Sequence, residues 1–184
     1  MTTKFFFAIL LAATAGFSAS VQAQQIVVGG ATMSPRKNIL ENTVHSNDHT
    51  TLIKVVEYSG MVLELQNKGP FTIFAPVNAA FDALPESTAS KLFEPSHKQQ
   101  LQSVMRYHIL PGKYDFKRLS KAIKAGKGEA IIKTLEGTEL RFRMNGKNNI
   151  TVIDNKGTMA NISVYDVHQS NGIIQVIDRV LLPK

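Results

Sequence analysis

The sequence contains neither cysteine nor tryptophan among its 184 residues. Without cysteine the chain forms no disulfide, carries no thiolate nucleophile and offers no cysteine for a lipid anchor. Long hydrophobic runs are also lacking, because the apolar run from Phe5 to Ala13 is shorter than the roughly 20 residues that span a membrane. We therefore expect a protein without a transmembrane segment, which its apolar core alone must stabilise.

The first 23 residues have the pattern of a secretory signal peptide. Lys4 precedes the apolar run, and small residues lead to an Ala-x-Ala-like end at Val21-Gln22-Ala23. Cleavage after Ala23 would leave a chain of one ordinary domain. We predict a signal peptide over residues 1–23, a flexible leader over 24–37 and a folded domain over 38–184. The protein is then exported, either to the periplasm or to the extracellular space.

Acidic residues are outnumbered, with 14 Asp and Glu against 21 Lys and Arg, which gives a net charge of +7. Many basic residues lie between Lys113 and Lys133, and Lys117, Lys121 and Lys124 are spaced to share one helical face. One interpretation is a solvated face that keeps the protein soluble. The other is a surface that attracts anionic polysaccharide or lipid headgroups. A nucleic-acid partner is not expected, because no recognition motif accompanies the basic residues and the export signal directs the chain away from nucleic acid.

The hydrophobic pattern changes from helical to strand-like along the chain. From Asn38 three short segments have apolar residues at helical spacing, and another helix is predicted after Pro95. Leu140–Met144 alternates apolar and charged residues before an Asn-Gly turn, which predicts a β-hairpin. The closing segment from Asn171 is apolar on both alternating faces, as in a central strand. Helices followed by antiparallel strands predict an α+β domain.

The segment Gly69–Phe81, with the sequence GPFTIFAPVNAAF, predicts a strand that leads directly into a helix. Apolar alternation up to Ala75 favours the strand, Pro76 ends it and Asn78 is predicted to cap the helix. Phe74 and Phe81 are the predicted core residues. We interpret the segment as a structural junction and not as a ligand-binding loop.

Three segments resemble the motifs of the fasciclin (FAS1) domain in order and spacing: Thr72–Phe81, Tyr107–Leu110 and Asn171–Leu181. The resemblance extends from about Asn38 to Leu182. The residues that match the motifs, with a mainly structural role implied, are Thr72, Phe74, Ala75, Pro76, Asn78, Phe81, Tyr107, His108, Asn171, Gly172, Ile174, Val176 and Asp178. The resemblance implies a wedge of twisted antiparallel β-sheet flanked by short helices. It also implies an extracellular module for adhesion and matrix contacts without enzymatic activity.

The resemblance also implies a possible interaction segment just before the closing motif. Asp166-Val167-His168 stands where animal members have an Asp-Ile-Met-like segment, so the aspartate is retained and the methionine is replaced. No Arg-Gly-Asp occurs, and integrin binding is poorly supported. Gln175 replaces a histidine that is frequent in the closing motif, and Val77 replaces a small polar residue in the first. Glutamine keeps hydrogen bonding but cannot act as a protonation switch.

The sequence gives little support for a catalytic or metal-binding site. The spacing of His45, Asp48 and His49 matches no common metal site, and we interpret these histidines as surface residues. His108 is expected to be partly buried and hydrogen bonded. No G-x-S-x-G motif and no phosphate-binding glycine loop occurs, so we expect no catalytic residue, no cofactor and no metal.

Two functions remain open at this point. The first is a non-enzymatic adhesion or interaction module with a protein or polysaccharide partner at the cell envelope or in the matrix. The module would contact this partner through Asp166, Val167 and His168 or through the three lysines. The second is a binding protein for a small apolar ligand, held in a pocket between the sheet and the helices. The sequence does not name the partner or the oligomeric state.

Overall fold

The computed structural model of the chain describes residues 26–67 and 69–184, so the predicted signal peptide lies outside the described part. The described chain begins with a small hairpin of β1 (Val27–Val28) and β2 (Ala31–Thr32). Val28 of β1 and Met33, which follows β2, are buried in the core. Gly29 allows the hairpin to pack closely, since a Cβ there would overlap the Ser46 hydroxyl.

The helices of the described residues are short and lie between Ile39 and Ala125. The helices are α1 (Ile39–Thr43), α2 (Thr50–Ser59), α3 (Val62–Gln66), α4 (Asn78–Asp82), α5 (Glu86–Phe93), α6 (Lys98–Tyr107) and α7 (Phe116–Ala125). Short 3-10 turns precede α2 and α6, at Asn47–His49 and Pro95–His97. A reciprocal capping box starts α1, in which the Glu41 amide donates to Asn38 Oδ1 (2.9 Å) and the Asn38 amide donates to Glu41 Oε2 (2.7 Å).

A seven-stranded sheet forms the centre of the domain. Its strands are β3 (Phe71–Pro76), β4 (Ile109–Pro111), β5 (Glu129–Lys133), β6 (Glu139–Asn145), β7 (Asn149–Ile153), β8 (Met159–Gln169) and β9 (Gly172–Ile177). Their order in the sheet is β4-β3-β9-β8-β7-β6-β5. The predicted α+β class is confirmed.

The sheet is mixed, because one pair of strands is parallel where antiparallel strands were predicted. Strands β3 and β9 run parallel, with Phe71 opposite Gly172 and Pro76 opposite Ile177, while the other neighbouring pairs are antiparallel. The helices α4 to α7 and several strands lie between β3 and β9 in the chain, which gives enough length for a parallel crossover. Every residue of β9 is buried, as predicted for a central strand.

Two apolar cores lie in the domain. The first contains Val55 and Met105 from the helices together with Ile73 of β3. The second contains Phe142 of β6 and Leu119 of α7. Strands β3 and β9 contribute side chains to both cores, so these two strands join the helical part of the domain to the strand-rich part.

Candidate functional site

The side chains of the first motif make hydrogen bonds and packing contacts inside the domain. Thr72 is fully buried, and its hydroxyl donates to the Gly112 carbonyl (2.7 Å) while it accepts from the Tyr114 amide (2.8 Å). Phe74 packs against Phe142, with 5.5 Å between the ring centroids. Ala75, Pro76 and Phe81 are also buried. These side chains stabilise the strand and leave no group free for a ligand.

Asn78 caps a different helix from the one predicted. The residue before α4 is Val77, which has no capping side chain, and Asn78 is the first residue of that helix. Its side-chain oxygen instead accepts from the amide of Thr51 (3.0 Å) in the first turn of α2, and its Nδ2 donates to the Asn47 carbonyl (2.8 Å). The prediction of a local cap is therefore wrong, and the side chain joins the two helices.

The Tyr-His motif is buried at the junction of α6 and β4. The Tyr107 hydroxyl donates to the Glu139 carbonyl (2.9 Å) and accepts from the Asn155 amide (3.0 Å). Its burial raises the pKa of Tyr107 to about 12. A tyrosine held in this way stays protonated near neutral pH and joins the start of β6 to the turn after β7.

His108 is fully buried and uses both ring nitrogens, where the sequence predicted partial burial. Nδ1 lies 2.8 Å from the Val104 carbonyl and Nε2 lies 3.0 Å from the Leu181 amide. The carbonyl requires a proton on Nδ1 and the amide requires a lone pair on Nε2, so the ring is neutral. Burial lowers the pKa of His108 from 6.5 to about 4. The ring is a structural link between α6 and the chain after β9, and it is not available as a base.

The closing motif is anchored by Asn171. Its Oδ1 accepts from the Ile39 amide (2.9 Å), and its Nδ2 donates to the carbonyls of Leu65 (2.7 Å) and Asn67 (2.9 Å). Gly172, Ile174 and Val176 follow in the buried strand β9. Asp178 carries a carboxylate that accepts from the Asn161 amide (2.7 Å). These contacts connect β9 to α1, α3 and β8.

Gln175 lies at the centre of a polar cluster. Its Oε1 accepts from the Asp166 amide (3.0 Å), and its Nε2 donates to Asp166 Oδ1 (2.8 Å) and to the Tyr114 carbonyl (3.0 Å). The same Asp166 oxygen accepts from the Phe116 amide (2.9 Å) at the start of α7. Asp166 has a φ of 56°, a left-handed conformation that aspartate tolerates better than most residues. The cluster holds α7 on the sheet.

Two of the three residues in the predicted segment at 166–168 are engaged inside the domain. The carboxylate of Asp166 is bonded within the cluster around Gln175, and Val167 is only 1% exposed. Register shifts between Ile162 and Val167 change the alternation of β8, so Val167 faces the core. The prediction of Val167 as a contact residue is wrong. His168 is exposed.

The lysines of α7 are exposed as a group. Lys117, Lys121 and Lys124 all lie on the solvent side of the helix, while Leu119 and Ile123 are buried below them. Asp115 caps the helix by accepting from the Arg118 amide (2.6 Å). The guanidinium carbon of Arg118 lies 4.1 Å from the centroid of the Tyr114 ring, a cation–π contact that sequence reasoning missed. We call the exposed set Lys117, Arg118, Lys121 and Lys124 the basic face.

His45, Asp48 and His49 do not form a metal site. His49 is 1% exposed, which differs from the predicted surface histidine, and its Nδ1 lies 2.9 Å from the Ser46 hydroxyl. Burial is the main cause that lowers the pKa of His49. Within residues 26–67 and 69–184, no three metal-ligating groups lie close enough to hold an ion.

The interface between sheet and helices is filled. A pocket at this interface, lined by Leu52, Ile73 and Met105 among others, has a volume of about 10 Å³. That is room for about one water molecule. The alternative function, a small apolar ligand held between the sheet and the helices, gains no support from this pocket.

Asp154 is a buried carboxylate whose role the sequence did not predict. Its oxygens accept from the amides of Lys156 (2.9 Å), Thr158 (2.7 Å) and Leu182 (3.0 Å). The first two bonds are local and stabilise the turn between β7 and β8. The third joins that turn to a segment that is distant in sequence, and no local pattern indicates it.

The chain is similar to several known proteins over a range that includes all three motifs. The model of the fasciclin domain matches residues 47–183. Protein sll1483 of Synechocystis is 36% identical over 158 residues, which cover 85% of this chain and 79% of that protein. The cell surface glycolipoprotein MPB83 of Mycobacterium bovis is 30% identical over 122 residues, 66% of this chain and 48% of that protein.

Solved structures show the same fold. The FAS1 domain pair from the insect cell adhesion molecule fasciclin I matches with a TM-score of 0.70 and 25% identity, over 79% of this chain and 51% of that one. In the described residues, no helix has both the length and the apolar character needed to cross a membrane. The family match spans most of the chain, and the chain belongs to the fasciclin domain family.

Proposed function

We propose that the protein is an exported, non-enzymatic interaction module that makes cell-surface or extracellular-matrix contacts through its basic face. The partner is an anionic polysaccharide or an acidic protein surface. Family members described as a cell surface glycolipoprotein and as a cell adhesion molecule support this setting. The predicted signal peptide is consistent with it.

The observation that carries the proposal is the unneutralised charge of the basic face. Lys117, Lys121 and Lys124 are exposed, and Asp115 is the one acidic residue between positions 113 and 128. Its carboxylate is used as the helix cap. Several cations held on one short, anchored helix attract anions more strongly than the same charges dispersed over the surface.

We propose that the protein has no catalytic activity, because the polar side chains of its motifs are hydrogen bonded inside the domain. The hydroxyls of Thr72 and Tyr107 and both nitrogens of His108 are hydrogen bonded within the domain. A nucleophile or base must instead reach a substrate. The protein therefore acts by contact and not by chemistry.

The test is chromatography of the purified protein on an immobilised anionic polysaccharide such as heparin. The triple variant Lys117→Glu, Lys121→Glu, Lys124→Glu should elute at much lower salt than the wild type, because its attraction to the matrix is lost. A matched control reverses three exposed lysines on separate elements, Lys37, Lys54 and Lys147, and changes the net charge equally. Equal elution of the two triple variants would reject the basic face as the contact surface.

A further inference from the structure

A second cationic region lies in a cleft away from the basic face. The cleft has a volume of about 330 Å³ and is bounded by α5, α6, the turn between β7 and β8, and the segment after β9. This volume is within the range of small-ligand sites in proteins. None of the basic-face residues lines it, so the cleft is independent of the proposed function.

The side chains that line the cleft carry positive charge. Lys91, Lys156 and Lys184 line it, and its lining includes no aspartate or glutamate. Among the ion pairs of residues 26–67 and 69–184, none involves these three lysines. Elsewhere on the surface Arg106 pairs with Glu64, at 2.9 Å. Three cations from distant parts of the chain therefore share one concave region, where the potential favours an anion.

The walls of the cleft are fixed by buried polar contacts. The Asp154 carboxylate is fully buried and accepts from the amides of both Lys156 (2.9 Å) and Leu182 (3.0 Å), which belong to two different walls. Ser103 of α6 donates to Glu136 Oε1 (3.3 Å). The backbone of these walls is thus held in place before a ligand binds.

The lining has a polar side and an apolar side. Hydroxyls of Ser87 and Thr88 in the first turn of α5 add hydrogen-bond donors to the lysines. Leu182 and Pro183 supply the apolar part, and both are half-buried. A ligand that fits both sides carries a compact anionic group and an apolar body.

We propose that this cleft binds an organic phosphate monoester. Its phosphate oxygens accept hydrogen bonds from Lys91, Lys156 and Lys184, and its apolar group lies against Leu182 and Pro183. Lysine binds phosphate as a strong point charge, and three of them suit a doubly charged group better than a single carboxylate. Nothing in the match to the fasciclin domain model assigns a ligand to these residues.

The test uses phenyl phosphate as the probe, titrated into the ¹⁵N-labelled protein at low ionic strength. We expect saturable chemical-shift changes at the amides of Thr88, Lys91 and Lys156. Inorganic phosphate lacks the apolar group and benzoate has a single charge, so each should bind about tenfold more weakly. Equal affinity for phenyl phosphate and either of the other two anions, or shift changes outside the cleft only, would overturn the proposal.

Two variants distinguish binding in the cleft from attraction by the overall positive charge of the protein. The double variant Lys91→Gln, Lys156→Gln should weaken phenyl phosphate binding by about tenfold or more, because two charged hydrogen bonds are lost. The matched control Lys37→Gln, Lys147→Gln removes the same charge from positions outside both the cleft and the basic face, and it should change the dissociation constant by less than about twofold. All four lysines are exposed, so both variants are expected to fold. The same weakening in both would reject the cleft and leave the proposed function untouched.

Discussion

Gln175 shows how a single buried amide connects distant elements. It is 0% exposed, and its three hydrogen bonds reach Asp166 of β8 and the Tyr114 carbonyl before α7. Asp166 and Tyr114 are themselves half-buried. An apolar replacement would fill the space but would leave the Asp166 amide and the Tyr114 carbonyl unpaired.

We predict that Gln175→Leu lowers the free energy of unfolding by about 1–3 kcal/mol, which is the cost of leaving buried polar groups without partners. Denaturant unfolding monitored by circular dichroism measures the loss. Gln99→Leu, at an exposed position of α6, is the control and should change stability by less than about 0.5 kcal/mol. If both variants unfold at the wild-type midpoint, water replaces the amide and the cluster is not important for stability.

Because His108 is buried in its neutral form, we predict that the stability of the protein falls as the pH decreases. Its pKa is about 4 in the folded protein and 6.5 ordinarily, so the unfolded chain binds more protons at intermediate pH. The stability is fully present above about pH 6.5 and falls as the pH decreases to about 4, by an amount on the order of 3 kcal/mol. Asp154, the one acidic group that acts on the ring, opposes this fall only in part.

The measurement compares unfolding free energies at about pH 7.5 and about pH 4 for the wild type and His108→Gln. The variant is less stable at neutral pH but should lose less stability on acidification, because glutamine does not titrate. The buried His49 and all carboxylates are present in both proteins, so their contributions cancel. His168→Gln, at an exposed position, should retain the wild-type dependence. Parallel pH curves for wild type and His108→Gln would contradict the assigned neutral state.

At the scale of elements, the contact of Asn78 makes α4 and α2 depend on each other. We predict that Asn78→Ala lowers the free energy of unfolding by about 1 kcal/mol, as expected for the loss of a helix cap. The Thr51 amide should also exchange its hydrogen faster, since it loses its acceptor. Asn148→Ala in the exposed turn between β6 and β7 is the control. Unchanged exchange at Thr51 would show that the cap forms no lasting bond.

Periodic elements could be predicted from the sequence, and short or irregular ones could not. The helices α2 and α6 and the hairpin of β6 and β7 have clear spacing and turn residues, and the structure confirms them. Strand β4 has only three residues directly after α6, too few for a pattern. Strand β5 lies among the basic residues after α7, and its pairing with β6 determines it more than its own sequence does.

Long-range geometry limited the prediction of the site. The exposure of Lys117, Lys121 and Lys124 follows from helical spacing alone and is confirmed. The burial of Val167 does not follow from alternation, because the register shifts in β8 reverse which residues face the core. The parallel pairing of β3 and β9 joins residues far apart in the chain, and apolar patterns do not encode strand direction.

At the scale of the whole molecule, the two cores should unfold together. Phe81 belongs to the first core and Phe142 to the second, and both side chains are buried. We predict that Phe81→Ala and Phe142→Ala each cost about 3–5 kcal/mol, as for other buried aromatic truncations. Because β3 and β9 carry residues of both cores, each variant should show one transition with coincident near- and far-ultraviolet circular dichroism. Separate transitions in either variant would show that the cores are independent units.

The anchoring of Asn171 has a mechanical consequence for the domain. The Ile39 amide is bonded to Asn171 at the beginning of β9, and the chain leaves from the other end of the strand after Ile177. Tension applied between Ile39 and Ile177 would therefore act along β9. That strand is paired on both sides, in parallel with β3 and antiparallel with β8, so its hydrogen bonds would be loaded in shear. We expect the two neighbouring strands to resist such a force together.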